Sequence, residues 1–265
     1  MTDSPTIRHA RESGYTLAEL LIVIAVLGFV MAAVLGIYQT TQQSYLFATA
    51  GEDAQLTARA VLDRVVSEFR MINNGRTVST GAITAATATS ITFLADINND
   101  TLTSSGADAT LAALANAGAT TVQASSASGF SVGELLYIAD GAIRETQSIT
   151  AVSGTTLTLG AGLGTSYPTG SIVRSVETVT YSLDAGNLTR TVGGSGAQTI
   201  ASGVPTFQIT YWAGSIPPVQ ITDVTSQGNR DSVREIRVQL TVSSTSGDQT
   251  VQRTMQASVR PRNLF

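Results

Sequence analysis

The chain has 265 residues, a net charge of −4 and charged side chains at only 13% of positions, about half the share found in an average soluble domain. All of its basic residues are arginine and none of them cluster, so the electrostatic footprint of a nucleic-acid-binding surface is missing and no nucleic-acid partner is expected. Cysteine and lysine are absent and His9 is the sole histidine, which excludes disulfides, Cys/His zinc sites, thiol nucleophiles and lysine Schiff bases.

The first element in chain order is an uncharged run from Leu20 to Tyr38, LLIVIAVLGFVMAAVLGIY. About nineteen residues at 1.5 Å each nearly match the hydrocarbon thickness of a bilayer, so a membrane-spanning helix is expected. Arg8 and Arg11 precede the run, and the first charges after it are Glu52 and Asp53. The positive-inside rule then keeps the N-terminus in the cytoplasm and exports everything after Tyr38. A secretory signal peptide has a shorter apolar core that ends at a small-residue cleavage site. An ordinary signal anchor is the plainer alternative. Glu19 counts against it, because a carboxylate at the head of an apolar helix costs free energy and demands a partner.

Around Glu19 the chain reads Ser13-Gly14-Tyr15-Thr16-Leu17-Ala18-Glu19-Leu20-Leu21. Order, spacing and position resemble the prepilin processing and methylation motif of type IV pilins and type II secretion pseudopilins: Gly, an aromatic, Thr, Leu, an apolar residue, Glu and an unbroken hydrophobic run. The resemblance implies a leader over residues 1–14, cut between Gly14 and Tyr15 by prepilin peptidase on the cytoplasmic side. It also implies N-methylation of Tyr15 and retention of the apolar segment. Tyr15 stands where the family usually has Phe, and Ala18 replaces a bulkier aliphatic residue; the aromatic ring and the apolar character survive both changes. With the leader gone the chain has no imidazole, which removes Ser-His-Asp catalysis as well.

Cleavage creates an ammonium at Tyr15, mostly protonated at neutral pH with an ordinary pKa of about 8. Glu19 follows it by one helical turn and is the expected charge partner in assembly, either within the chain at i, i+4 spacing or between staggered neighbours. In a low-dielectric filament core either charge left alone is strongly unfavourable, so the pair specifies register.

The helix pattern continues past the apolar run. Ala54, Ala58, Val61, Val65, Phe69 and Ile72 recur at three or four residues, while Glu52, Arg59, Asp63, Arg64, Glu68 and Arg70 supply polarity. A helix over 15–71, roughly 85 Å long at 1.5 Å per residue, is expected to end at Asn73-Asn74-Gly75. Gly28, Gly36 and Gly51 interrupt it and permit either close packing or bending.

Beyond the helix the signals are β. Ser90-Ile91-Thr92-Phe93-Leu94 and Thr178-Val179-Thr180-Tyr181 read as sheet neighbours with a long stretch between them. Asp96, Asn98 and Asp100 are spaced like the first ligands of a calcium loop. Thr101 stands where the turn glycine belongs and no bidentate Glu follows, so an Asx-rich turn is favoured and no metal is expected. Within 104–173, strands are expected from Glu134 to Ala139, Ile143 to Val152 and Thr155 to Leu159, the last two joined at Ser153-Gly154; this is read as a small inserted β module. Val179, Tyr181 and Leu183 alternate into an Asp184-Ala185-Gly186-Asn187 turn, and Leu188 to Val192 returns as a hairpin. Near the end Ile236, Val238, Leu240 and Val242 face one way, answered after Ser246-Gly247-Asp248 by Val251, Met255, Ala257 and Val259. This tail resembles the PilW and GspJ group of minor pilins.

The expected architecture is α+β: a long N-terminal helix over 15–71, about 15–38 of it transmembrane, packed on an antiparallel head made of 72–103 and 174–265, with 104–173 inserted. The expected role is that of a non-enzymatic minor pilin or pseudopilin of a type IV pilus or type II secretion filament, without cofactor, acting in priming or at the tip. Its partners would be prepilin peptidase, other minor subunits, the major subunit and the inner membrane, with the head in the periplasm and later in a filament. The alternative is a membrane-anchored β-rich adhesin or binding ectodomain that never enters a filament.

Overall fold

The computed structural model describes residues 15–76, 80–97, 109–193 and 195–264. Helix α1 (Leu17–Arg70) is unbroken over 54 residues, about 81 Å at 1.5 Å per residue. Met71 caps it, and the chain turns away through Asn73 and Gly75, both at positive φ. Burial divides the helix in two. Every residue from Tyr15 to Tyr45 is exposed, whereas the stripe Ala54, Ala58, Val61, Val65 and Phe69, with Ile72 just beyond, is buried. The three-or-four spacing puts these side chains on one face, and a sheet covers that face.

The strands are β1 (Ile83–Ala86), β2 (Ser90–Ala95), β3 (Ala109–Thr110), β4 (Thr121–Gln123), β5 (Leu135–Asp140), β6 (Ile143–Ser153) and β7 (Thr156–Leu159). They continue with β8 (Ile172–Asp184), β9 (Asn187–Val192), β10 (Gln198–Ala201), β11 (Thr206–Ala213), β12 (Gln220–Ile221), β13 (Val233–Ser246) and β14 (Gln249–Val259). A short helix α2 (Gln227–Asp231) precedes β13. The smaller sheet runs β12-β11-β13-β14, and α1 lies along β13 and β14. Ile236 faces Val259, Val238 faces Ala257 and Leu240 faces Met255, the side chains that alternation had aligned. Val251 instead pairs with Ser244, and Arg253 lies opposite Val242. A Cβ on Gly51 would stand 3.0 Å from the tip of the Arg253 side chain, which must then shift, while Gly28 and Gly36 have open space around them.

The larger sheet runs β1-β2-β8-β5-β6-β7-β4, with β9, β10 and β3 attached. Ile91 pairs with Tyr181 and Phe93 with Val179, so the two segments read as neighbours are joined across the intervening stretch. The β8–β9 hairpin closes at Asp184 and Asn187, with Ala185 and Gly186 both at positive φ, the turn whose twist matches that of its strands. Strands β5, β6 and β7 fall within a residue or so of their expected limits, and Gly154 turns between the last two at φ 58°.

Strand β8 is thirteen residues long and serves two cores. Its second half pairs with β2 and β9, while Val173 near its start pairs with Ile138 of β5 and Ala109 of β3. The boundary expected between 173 and 174 therefore falls inside one continuous strand; the one expected at 103 and 104 lies outside the described residues. From β8 the pairing passes through β5, β6, β7 and β4, and a bridge from Ala124 to Leu111 brings it back to β3 and β8. This closed ring encloses Leu136, Ile138, Ile149, Leu157, Tyr167 and Val173. Val179 and Tyr181, two-residue steps along the same face of β8, belong to the main core with Val65, Phe69 and Phe93. There the Phe69 ring meets Phe93 and Tyr181 edge-on, each at 5.7 Å.

Candidate functional site

The helix begins at a reciprocal cap. Thr16 is extended, and its hydroxyl accepts from the Glu19 amide at 3.3 Å. The Glu19 carboxylate accepts from the Thr16 amide at 2.9 Å and from the Thr16 hydroxyl at 3.0 Å. A helix start leaves its first N–H groups without partners, and this exchange satisfies two of them while placing negative charge at the positive end of the helix dipole. Glu19 is thus held back over the first turn, against Thr16. Of the expected site residues, Glu19 bonds to Thr16, the residue after Tyr15, and Gly14 lies outside the described residues. The capping role was missed from sequence although its signal, Thr-x-x-Glu ahead of an apolar run, is present.

Below the cap the surface is apolar and bare. Leu20, Leu21, Ile24, Leu27, Phe29, Leu35 and Ile37 are each more than half exposed, an area far beyond what water tolerates without a covering partner. The segment is long and apolar enough to cross a membrane.

Three other carboxylates are held inside the head. Glu68, which the sequence pattern put on the polar face, is buried; it accepts from the Tyr181 hydroxyl at 2.7 Å and from Arg190 Nε at 2.9 Å, with Arg64 Nε at 3.3 Å. Burial, then the Glu68 carboxylate, raises the Tyr181 pKa. Glu235 accepts from Arg237 at 2.6 Å, from Ser258 at 2.9 Å and from Arg260 at 2.8 Å, tying β13 to β14 and the chain beyond it. Those bonds, Arg237 first, hold its pKa down at about 2. Glu177 is 3% exposed and accepts the Ile97 amide at 3.1 Å. Burial pushes its pKa up to about 7, with the charges of Glu134 and Asp96 adding and the Ile97 amide opposing.

Asp96 is buried beside this group, whereas Asn98 and Asp100 lie outside the described residues. Among the described residues no three His, Cys, Asp or Glu side chains are gathered as a metal site would need. Glu68 and Glu235 are fully engaged as latches between elements.

The family model for the prokaryotic N-terminal methylation motif matches residues 9–35, a span that contains Gly14, Tyr15 and Glu19. No curated protein and no solved structure matches the chain. The motif implies processing by prepilin peptidase and assembly with other pilins, and belongs to structural subunits rather than enzymes. Together with the single N-terminal apolar helix it fits anchoring in the inner membrane with the head outside the cytoplasm. The chain thus carries, over the start of its first helix and ahead of an antiparallel β head, a signature characteristic of type IV pilin and pseudopilin precursors.

Proposed function

We propose that the chain is a minor pilin or pseudopilin that primes a filament or sits at its tip. Prepilin peptidase cuts between Gly14 and Tyr15, the new amine of Tyr15 is methylated, and residues 15–38 hold the subunit in the inner membrane until it is drawn into a filament. Glu19 then neutralises a Tyr15 ammonium, its own or that of the neighbouring subunit. The observation that carries this reading is the Thr16–Glu19 exchange at the head of an otherwise bare apolar helix. It supports the reading because it holds one carboxylate in a fixed orientation where cleavage would create a cation.

A position at the tip is supported by the bulk of the head. The 104–173 insertion adds a second core beside the pilin-like sheet, and repeating such a head along a shaft is sterically demanding. Exchange of Glu19 for Ala tests the pairing: membrane insertion persists and incorporation into filaments falls sharply. Undiminished incorporation contradicts the pairing. Gold labelling of the head places it at filament ends; dense labelling along every shaft contradicts the tip position.

A further inference from the structure

We propose that the outer face of the β12-β11-β13-β14 sheet is a binding surface for a neutral oligosaccharide, centred on Trp212. Helix α1 covers the inner face of this sheet through β13 and β14. A subunit whose helix is packed in a bundle therefore turns the other face outward. That face carries a shallow trough of about 390 Å³ with Trp212 and Arg237 toward one end and Gln208, Gln239 and Gln256 across its floor.

Strand register explains the arrangement. Gln208 lies opposite Gln239, which lies opposite Gln256, so three amides form one rung across three strands. The rung on one side aligns Thr206, Thr241 and Thr254; that on the other aligns Thr210, Arg237 and Ser258. Many of these side chains are already fixed. Gln256 donates to Gln239 at 3.1 Å, the Thr241 and Thr254 hydroxyls meet at 2.8 Å, and the Trp212 indole donates to Thr210 at 3.2 Å. The Arg237 guanidinium lies 3.9 Å over the Trp212 ring while Glu235 holds its Nε at 2.6 Å.

The chemistry selects the ligand class. Among the described residues Arg237 is the one charged side chain lining the trough and its charge is paired with Glu235, so a polyanion finds no run of cations there. The floor is amide and hydroxyl, which disfavours an apolar guest. Sugar hydroxyls donate and accept at once, and glutamine amides and threonine hydroxyls do the same. The Trp212 indole, with Arg237 stacked on one face, borders these groups and offers its remaining apolar surface to the C–H face of a pyranose ring. From Trp212 to Gln208 along β11 is about 13 Å, room for a short oligosaccharide rather than a single ring. Side chains held in place before binding lose little entropy on contact.

Trp212 is the sole tryptophan of the chain, so its emission reports directly on the trough. The full chain in detergent is titrated with cellohexaose, maltohexaose and chitohexaose, with an oligothymidylate and an acidic peptide as charged probes. A saturable change in emission is expected with at least one of the three oligosaccharides and with neither charged probe. The double exchange Gln239→Ala and Gln256→Ala should weaken it at least about tenfold, and Thr245→Ala, at the far end of the face, should leave it unaltered. Should the double variant unfold, Gln256→Ala alone, on the edge strand, carries the same comparison. Emission indifferent to all three sugars, a response confined to the charged probes, or a folded glutamine variant that binds like the parent overturns the proposal.

Discussion

Exchanging Glu68 for alanine should be among the most damaging single changes available on α1. One carboxylate oxygen takes both the Tyr181 hydroxyl at 2.7 Å and Arg190 Nε at 2.9 Å. The Arg190 side chain is 11% exposed, so its charge stays buried when its partner leaves. Breaking such a pair from one side costs about 3–5 kcal/mol, and a stranded buried hydroxyl costs about 1–3 kcal/mol. Because both partners share one oxygen the two losses overlap, and about 4 kcal/mol is expected for Glu68→Ala. Tyr181→Phe removes one bond and leaves Glu68 paired with both arginines, so about 1 kcal/mol is expected. Arg64 is half exposed at i, i+4 from Glu68, and Arg64→Ala should cost under about 0.5 kcal/mol. Urea unfolding of the full chain in detergent, followed by Trp212 emission, measures all three. A Glu68→Ala loss below about 1 kcal/mol, or an Arg64→Ala loss equal to it, refutes the view that this carboxylate latches the helix end to β8 and β9.

Glu177 makes stability depend on pH. Its folded pKa of about 7 exceeds the ordinary 4.5, so between those values the folded state binds the extra proton. Stability contributed there falls as pH rises through that window, by on the order of 3 kcal/mol. Glu177→Gln should flatten the slope and raise stability at pH 8 in urea denaturation; an unchanged slope counts against it. Gly203 sits at φ 66°, and a Cβ there would stand 2.7 Å from the Ser243 carbonyl. Gly203→Ala should therefore cost about 2 kcal/mol or more, read as a lowered urea midpoint. Thr16→Ala removes the cap hydroxyl and should cost the helix start about 1 kcal/mol, seen as faster amide exchange at Leu17 to Leu20; unchanged protection there contradicts the capping role.

What the sequence made legible was local or periodic. The buried stripe from Ala54 to Ile72, the Asp184–Asn187 hairpin and the alternation of Ile236, Val238 and Leu240 each repeat with the geometry of their own element. The pairing of Ile91 with Tyr181 was also readable, because both flanks of the intervening stretch carry half of one sheet pattern. Glu68 was misplaced since it borders the apolar stripe, and what turns it inward arrives from Tyr181 and Arg190, more than a hundred residues later. Ring closure was equally hidden. It depends on β3, two residues long, and on a single bridge between Leu111 and Ala124, neither of which has a period to detect. At the site, Tyr15 and Glu19 were visible as residues, but the cap that orients Glu19 went unread beside its charge.

The mature N-terminus records most directly whether the leader is removed. Intact-mass and N-terminal analysis of the protein from cells with active prepilin peptidase should find a chain that starts at a methylated Tyr15 and retains everything after it. A chain that still begins at Met1 in those cells contradicts processing at Gly14 and, with it, the filament-subunit role.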